Sequence, residues 1–263
     1  MEERAHVDFG RRSDDYLEYR PGFPSSFYDR LDGFRALKAS RILDVGTGPA
    51  VMALPLAERG AIVVGVDSSP RQIDAARRRM QAVGLQNRAE FHVASAEDTG
   101  MEAGRFDWVT AGQCWHWFDS ARVMAEVRRV LKSDGLLVLG YFSYLPQHSP
   151  VARRTEELIL QYNPTWTMAD GSGMYPERID ELVWSGFELV EQFCYHHEQL
   201  FSHVAWRGRV RTCNGVGSGA LSDDEVEAFD LHLQDILQKD FPVEPLLVIH
   251  RVWGVVVQNT MKT

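Results

Sequence analysis

Between residues 41 and 145 the pattern of apolar and polar positions switches repeatedly between two periods. Short apolar runs rich in β-branched residues predict strands at Arg41–Val45, Ala61–Val66, Ala89–Ala94, Phe106–Thr110 and Gly135–Tyr141. Apolar positions at helical spacing predict helices between them at Val51–Arg59, Pro70–Val83 and Ser120–Leu131. Such alternation is typical of a parallel α/β sheet covered by helices.

After Tyr144 the alternation stops, in a stretch rich in proline and aromatic residues that predicts a cap. Helices are expected near Val151–Gln161, Pro176–Ser185 and Ser222–Lys239, and further strands at Glu188–Tyr195 and Leu246–Gln258. The pattern predicts a Rossmann-like, doubly wound α/β fold with a mostly parallel sheet, an antiparallel C-terminal strand and an inserted helical cap. The expected domains are a helical lid (1–40), a core (41–145), a cap and substrate region (146–215), and a C-terminal helix and strand completing the sheet (216–263).

A glycine-spaced turn follows the first predicted strand. Asp44 ends the strand, and Gly46 and Gly48 allow the backbone N–H groups of the turn to approach a ligand closely. Asp67 ends the second strand, about 20 residues further on, where an acid accepts hydrogen bonds from both ribose hydroxyls. Ser68 follows it directly. This arrangement predicts a site for a nucleoside-containing cofactor.

Residues that are absent from the turn reduce the number of cofactor classes that it could bind. A dinucleotide fingerprint has a third glycine, but Val51 stands three residues after Gly48, and the lysine and hydroxyl residue of a P-loop are also absent. Asp44, placed before the glycines, would repel phosphate but suits a cationic aminoacyl sulfonium. The turn therefore favours S-adenosylmethionine (SAM) over NAD, with a purely structural tight turn as the alternative.

Composition limits the partners. With 263 residues and 44% apolar residues, the chain fits one large domain or a core with an inserted cap. A net charge of −9 argues against nucleic acid as a partner, because a phosphate backbone requires a basic face. The N-terminus has no apolar leader pattern, and no apolar run reaches the roughly 18 residues of a membrane span. Three cysteines without metal or redox spacing are expected to be reduced, so a cytoplasmic protein is predicted and its oligomeric state is left open.

Two aromatic segments are candidates for the acceptor side of the site. His116, between Trp115 and Trp117, follows the fourth strand at the edge where open α/β sheets bind ligands, and its near-neutral pKa suits proton transfer or orientation of an acceptor. Either tryptophan alone also fits a core position. In the N-terminal segment, Tyr16, Tyr19 and Arg20 are expected to form a lid whose tyrosine faces attract a sulfonium; helix packing on the sheet is the alternative.

The predicted cap adds candidates for binding a substrate. Arg207 and Arg211 share a face if this segment is helical, and one of them is expected to bind a carboxylate through its guanidinium group. A solvated charged face is the alternative. Asn163 and Tyr175 are further candidates for the pocket, unless they only satisfy loop backbone. The histidines near residue 200 lack a complete set of ligands, and no metal is expected.

Five motifs in this order and spacing resemble the class I SAM-dependent methyltransferases: Asp44-Val45-Gly46-Thr47-Gly48, Gly65-Val66-Asp67-Ser68-Ser69-Pro70, Ser95-Ala96-Glu97-Asp98, Phe106-Asp107 and Arg129-Val130-Leu131-Lys132. Two further segments, Tyr19-Arg20-Pro21-Gly22-Phe23-Pro24 and Gln113-Cys114-Trp115-His116-Trp117-Phe118-Asp119, resemble the branch that contains trans-aconitate methyltransferases and related small-molecule enzymes. The family often has glycine at Ala50 and an acid at Ser95.

The resemblance implies roles for several residues. Asp44 and Gly46 would lie along the methionine part of the cofactor, Gly48 would permit close approach, and Asp67 would bind the ribose. Ser95 and Ala96 would meet the adenine edge, and Gln113 would lie beside the reactive end.

Methyl transfer to a small, carboxylate-bearing metabolite is the expected function, with His116 and Tyr19 as candidate catalytic residues and Trp117 beside the substrate. Two alternatives remain: a lyase or cyclase that attacks the side chain of SAM and releases methylthioadenosine, and a non-catalytic SAM-binding regulator.

Overall fold

The computed structural model describes residues 18–217 and 220–260. Within them lies a seven-stranded sheet of order β3-β2-β1-β4-β5-β7-β6. The strands are β1 Arg41–Val45, β2 Ile62–Asp67, β3 Ala89–Val93, β4 Phe106–Gly112, β5 Leu131–Tyr144, β6 Glu188–Phe201 and β7 Leu246–Gln258. β1 to β5 pair in parallel, and the C-terminal strand is antiparallel. This confirms the predicted Rossmann-like fold class.

Helices connect these strands in the described part of the chain. They are α1 Ser25–Phe34, α2 Ala53–Glu58, α3 Pro70–Ala82, α4 Ser120–Val130, α5 Pro150–Tyr162, α6 Pro176–Trp184, α7 His203–Arg211 and α8 Asp223–Asp240. Local sequence sets several of their starts. Pro70 begins α3, and Ser222 with Glu225 forms a capping box at the start of α8.

The chain divides into two compact units. Of the described residues, the first contains 18–21, 143–173, 196–217 and 220–251, and the second contains 22–142, 174–195 and 252–260. In the second unit successive residues of β1 belong to different apolar clusters, since Ile42 packs in one and Leu43 in the other. Both faces of the strand are therefore buried, as the continuous apolar runs predict. The first unit has its own apolar cluster, which includes Trp206 and Phe229.

Most element boundaries agree with the sequence pattern to within a few residues, and three elements differ. β6 continues to Phe201, six residues beyond its predicted end at Tyr195. β5 begins at Leu131, directly after α4, and continues to Tyr144. α7 was not predicted as an element, because its nine residues contain Gly208 and three arginines and so show little helical periodicity. Its start is fixed by Ser202, whose side chain accepts a hydrogen bond from the backbone N–H of Ala205. The four predicted domain boundaries stay a prediction.

Candidate functional site

The turn between β1 and α2 has a left-handed backbone at three positions. φ is 62° at Gly46, 52° at Gly48 and 62° at Ala50. The backbone N–H of Thr47 donates to the carbonyl of Val66 at 2.9 Å, which ties the turn to the end of β2. Ala50 occupies a conformation that L-residues rarely adopt, so the surrounding structure holds the turn in one shape.

Asp44 lies beneath this turn and is 1% exposed. One carboxylate oxygen accepts a hydrogen bond from the Thr47 hydroxyl at 2.7 Å, and the other accepts one from the Thr110 hydroxyl at 2.6 Å. Burial raises the pKa of Asp44 from 3.8 to about 6, against the opposing effect of these two hydrogen bonds. Asp44 therefore organises the turn from below, and its contact with the methionine part of a cofactor stays a prediction.

Asp67 stands at the end of β2 and is half-buried beside the same turn. Its Oδ2 accepts a hydrogen bond from the backbone N–H of Gly48 at 3.0 Å, and its Oδ1 accepts one from Ser69 at 2.9 Å. Burial raises its pKa, while the two hydrogen bonds lower it. Each carboxylate oxygen has a second lone pair, so the carboxylate is oriented yet retains capacity for two hydroxyl donors. Ser68, between these contacts, is exposed.

The two glycines of the turn serve different purposes. A Cβ at Gly46 would lie 2.9 Å from Cys114 Sγ and 3.0 Å from Phe118 Cζ, so packing alone requires glycine there. A Cβ at Gly48 would meet nothing within 4 Å. The space that glycine leaves at position 48 is open and lies beside the Asp67 carboxylate, which fits a cofactor with two neighbouring hydroxyl groups.

Residues after β4 form the next part of the sheet's carboxyl edge. Gln113 has a φ of 58°, and its backbone N–H donates to the Gly140 carbonyl at 2.9 Å. Cys114 is buried, and its thiol donates to the Val45 carbonyl at 3.2 Å. A single 3₁₀ turn, Trp115–Trp117, follows. The structure thus brings Gln113 to the edge where β1 also ends, and its left-handed backbone is typical of functional positions.

His116 belongs to a group of aromatic rings, which we call the edge aromatic cluster: His116, Trp117, Tyr141, Tyr175 and Trp253. The His116 ring lies 4.8 Å from the Trp117 ring and 6.1 Å from the Tyr141 ring, measured between centroids. Tyr141 stacks on Tyr175 at 3.9 Å and meets Trp253 edge-on at 5.9 Å. Trp115 is fully buried, whereas His116 and Trp117 are half-buried.

The Ser95-Ala96 segment is held by a local turn after β3. The backbone N–H of Asp98 donates to Ser95 Oγ at 3.1 Å, and Ala96 is buried against the core. Ser95 itself is exposed. Contact of either residue with an adenine edge stays a prediction.

The remaining predicted substrate residues lie in the first unit or outside the described residues. The Tyr19 ring packs directly against the Cα of Gly208, and the Arg211 guanidinium lies 5.8 Å from the centroid of that ring. Arg20 is half-buried. Tyr16 lies outside the described residues. The expected lid over the cofactor stays a prediction.

Arg207 and Arg211 share one counter-ion. Both guanidinium groups donate to the carboxylate of Asp230, Arg207 through Nε at 3.2 Å and through Nη2, and Arg211 through Nη1 at 2.9 Å. Asn163 donates to the Gly215 carbonyl at 3.2 Å and accepts from the Thr165 hydroxyl, as the loop alternative describes. Carboxylate binding by these arginines stays a prediction.

Sequence reasoning missed three residues of this edge: Thr110, Tyr141 and Trp253. Tyr141 had a usable signal, because it closes a predicted strand and the carboxyl ends of parallel strands meet at the ligand edge. Thr110 and Trp253 had none, since each reaches its neighbours only through strand pairing and packing across the chain.

The arrangement defines a class of fold: a Rossmann-like α/β domain, with Asp67 and the glycine turn together at the carboxyl edge of its sheet as a candidate cofactor site. Residues 43–139 match the family described as methyltransferase domain.

An uncharacterized methyltransferase of Mycobacterium tuberculosis is 34% identical over 134 residues, which is 51% of each chain. The ubiquinone biosynthesis O-methyltransferase of Cereibacter sphaeroides is 29% identical over 168 residues, 63% of this chain and 66% of that protein. The chain therefore spans about half the length of the first curated relatives that it matches.

Solved structures share the fold. One is geranyl diphosphate C-methyltransferase from Streptomyces coelicolor, in complex with Mg²⁺, geranyl-S-thiolodiphosphate and S-adenosyl-L-homocysteine. It is 15% identical with a TM-score of 0.50, and the match covers 89% of this chain and 76% of that one.

Among the described residues, no helix has both the length and the apolar character needed to cross a membrane.

Proposed function

We propose that the protein is a SAM-dependent methyltransferase that acts on a small, carboxylate-bearing metabolite. The observation that carries the proposal is the Asp67 carboxylate, fixed by the N–H groups of Gly48 and Ser69 beside the open space at Gly48. An oriented acid at the end of the second strand fits the two ribose hydroxyls of an adenosine. The methyltransferase domain match supports SAM as the nucleoside concerned.

Each residue of the edge has a separate task in this proposal. Asp67 binds the ribose, and the glycine turn lines the amino-acid part, with the negative charge of Asp44 beneath it. Ser68, Ser95 and Ala96 lie on the adenine side, and Gln113 lies toward the reactive end. When bound, SAM supplies an electrophilic methyl group on sulfur.

The chain's own contribution to transfer is alignment and exclusion of water. The edge aromatic cluster offers flat apolar walls for an acceptor, and His116 stands among them. A carboxylate oxygen acceptor needs no base, whereas a hydroxyl or carbon acceptor loses a proton, and His116 is the candidate to take it. Tyr19 is the second candidate. The resemblance to the trans-aconitate methyltransferase branch is part of the proposal. Arg207 and Arg211, which both donate to Asp230, are the candidates that the sequence offers for binding the carboxylate. No finding favours the lyase or regulator alternatives.

Calorimetric titration with SAM and S-adenosylhomocysteine tests the cofactor. We expect Asp67→Ala to weaken both ligands at least about tenfold, because loss of a hydrogen bond to a charged acceptor costs about 1.5–3 kcal/mol. Asp74→Ala, an exposed acid on α3 paired only with Arg77 in the described residues, is the matched control. Equal affinities of wild type and Asp67→Ala would remove Asp67 from the ribose site.

Incubation with SAM alone separates transfer from the lyase alternative. A methyltransferase without an acceptor releases no methylthioadenosine, whereas the lyase does. Release of methylthioadenosine at a rate that depends on the enzyme would contradict the proposed reaction.

A further inference from the structure

Several buried polar atoms in the described part of the chain lack hydrogen bonds of normal geometry. At the carboxyl edge they include the hydroxyl oxygen of Tyr141 and Nε of Arg178, both in the second unit. Tyr141 is only 3% exposed. A buried donor without an acceptor costs about 1–3 kcal/mol, so such groups in folded proteins usually have a partner.

Tyr141 and Phe142 are the last buried residues of β5 before its half-buried end, at the edge where parallel sheets bind ligands. Its ring is fixed by stacking on Tyr175 and by Trp253, while His116 stands 6.1 Å away on the fourth-strand turn. These contacts orient the phenol, and its hydroxyl lies close enough to Arg178 for a side-chain interaction that lowers its pKa. The result is a polar donor set among flat aromatic faces.

Arg178 lies in the first turn of α6, three residues after Tyr175. Its Nη1 donates to Glu181 at 2.8 Å, and its Nε lies 4.0 Å from a carboxylate oxygen of Glu177. A guanidinium has five N–H donors, so the pair with Glu181 leaves others for a ligand. Burial raises the pKa of Tyr141 above its usual range, while the nearby charge of Arg178 lowers it, so the hydroxyl is a neutral donor near pH 7.

We propose that Tyr141 and Arg178 form a subsite that binds the carboxylate of the acceptor, with the edge aromatic cluster packing on a planar part of the same molecule. This inference rests on the proposed function, because only a methyltransferase has a methyl acceptor, and it adds which residues bind the carboxylate of that acceptor. The phenol O–H and the guanidinium N–H donate to the carboxylate oxygens, which gives charge-assisted hydrogen bonds. Arg178 is paired with Glu181, as Arg207 and Arg211 are with Asp230, and it is distinguished by its position beside the buried Tyr141 hydroxyl.

The test uses benzoate as the probe and benzamide as its neutral counterpart of the same shape. Both are titrated by calorimetry into the full-length protein saturated with S-adenosylhomocysteine, and again into the protein without it. We expect benzoate to bind about tenfold more tightly than benzamide. Tyr141→Phe and Arg178→Gln should each reduce this preference to less than threefold, and Arg178→Lys should restore only part of it, because an ammonium lacks the planar fork.

Two controls separate this subsite from general effects. Tyr195→Phe removes a hydroxyl that is paired with Ser26 and should leave the preference unchanged. The second variant, Arg207→Lys, tests the competing arginine: an unchanged preference supports Tyr141 and Arg178, and a lost preference assigns the carboxylate to Arg207. The Arg178 Nε–Hε resonance, followed by NMR in the wild type, should shift with benzoate and not with benzamide, which tests the contact even if a variant is unstable.

Equal binding of benzoate and benzamide, or an unchanged preference in Tyr141→Phe, would overturn the subsite. Loss of the preference in Arg207→Lys would assign the carboxylate to the other arginine and would also overturn it. A protein that binds no SAM but retains the benzoate preference would contradict the methyltransferase proposal alone, so the two failures are distinguishable.

Discussion

At the scale of single residues, the buried carboxylate of Asp44 fixes the conformation of the turn after β1, where the candidate site lies. Its two oxygens accept hydrogen bonds from Thr47 in the turn and Thr110 on the neighbouring strand. These bonds join β1, its turn and β4 at one point. The carboxylate is charged at neutral pH despite its burial, and this has a cost that depends on pH.

The pKa of Asp44 gives the sign of that dependence. Because it is raised from 3.8 to about 6, the folded protein binds more protons than the unfolded chain between these values. The free energy of unfolding should therefore fall as pH rises from about 4 to about 6. Asp44→Asn removes this slope and should stabilise the protein at pH 7.5 by up to about 3 kcal/mol, from roughly 1.4 kcal/mol per pKa unit, less whatever the altered hydrogen bonds lose.

Urea unfolding of wild type and Asp44→Asn at pH 5 and pH 7.5 measures this effect. Asp107→Asn is the matched control. The carboxylate of Asp107 is held by Lys132 Nζ at 2.6 Å and by the N–H of Arg41, and its pKa is lowered, so its removal should destabilise the protein at pH 7.5. A less stable Asp44→Asn protein with an unchanged pH slope would show that the Asp44 charge is stabilised by its surroundings.

At the scale of elements, the strand-to-helix turn after β1 contains one glycine that packing requires and one that lies beside open space. Gly46 is closed in by Cys114 and Phe118, whereas open space lies beside Gly48. Sequence spacing assigned both glycines to the cofactor, and only the packing distinguishes them.

Substitution of each glycine should therefore give a different result. Gly46→Val forces a side chain into Cys114 and Phe118 and should lower the melting temperature by several degrees or prevent folding. Gly48→Ala should cost only about 1–2 kcal/mol for the left-handed backbone, yet should weaken SAM binding about tenfold or more. Thermal unfolding followed by circular dichroism, with cofactor titration of each folded variant, makes the comparison.

Gly84→Ala is a control for the stability cost of placing a Cβ on a left-handed backbone. Gly84 also has positive φ and open space around a Cβ, but it lies in the connection after α3. It should lose similar stability and no cofactor affinity. If Gly48→Ala binds SAM as well as Gly84→Ala does, the open space at Gly48 is not where the cofactor approaches.

At the scale of the whole molecule, the predicted cofactor residues are concentrated in one of the two units. Asp44, Asp67, Ala96 and Gln113 all belong to the second unit, whereas Arg207 belongs to the first. Cofactor binding should therefore leave a local signature along the chain.

Hydrogen exchange measured by mass spectrometry, with and without S-adenosylhomocysteine, tests this expectation. Protection should increase most in segments 44–50, 65–69, 95–98 and 113–118. The reason is that the ligand stabilises the native state, to which it binds, by about 2.7 kcal/mol at a hundredfold excess over its Kd. Segment 225–237 of α8 serves as the internal control. Protection confined to α7 and α8, without change in the glycine turn, would contradict the predicted cofactor site.

The sequence alone predicted the fold class, which the structure confirms, and it placed a candidate cofactor site at the carboxyl edge of the sheet, which stays a prediction. Apolar periodicity is a local property, so it predicted β1, β4 and β7 and placed Asp67 at the end of the second strand. Contacts between residues that are close in the sequence could also be predicted, as the capping box of Ser222 and Glu225 shows. The element with the weakest period, α7, was the one that pattern did not predict.

Only the tertiary structure decided which side chains meet. Asp44 and Thr110 are 66 residues apart, and Arg207 and Asp230 lie on different helices, so their pairing depends on strand register and packing that no local pattern encodes. The same holds for Tyr141 and Tyr175, whose stacking follows from the return of the chain to the sheet edge. The local periodicity of apolar residues determines where an element lies along the chain, whereas the packing of distant elements against one another determines which side chains are in contact.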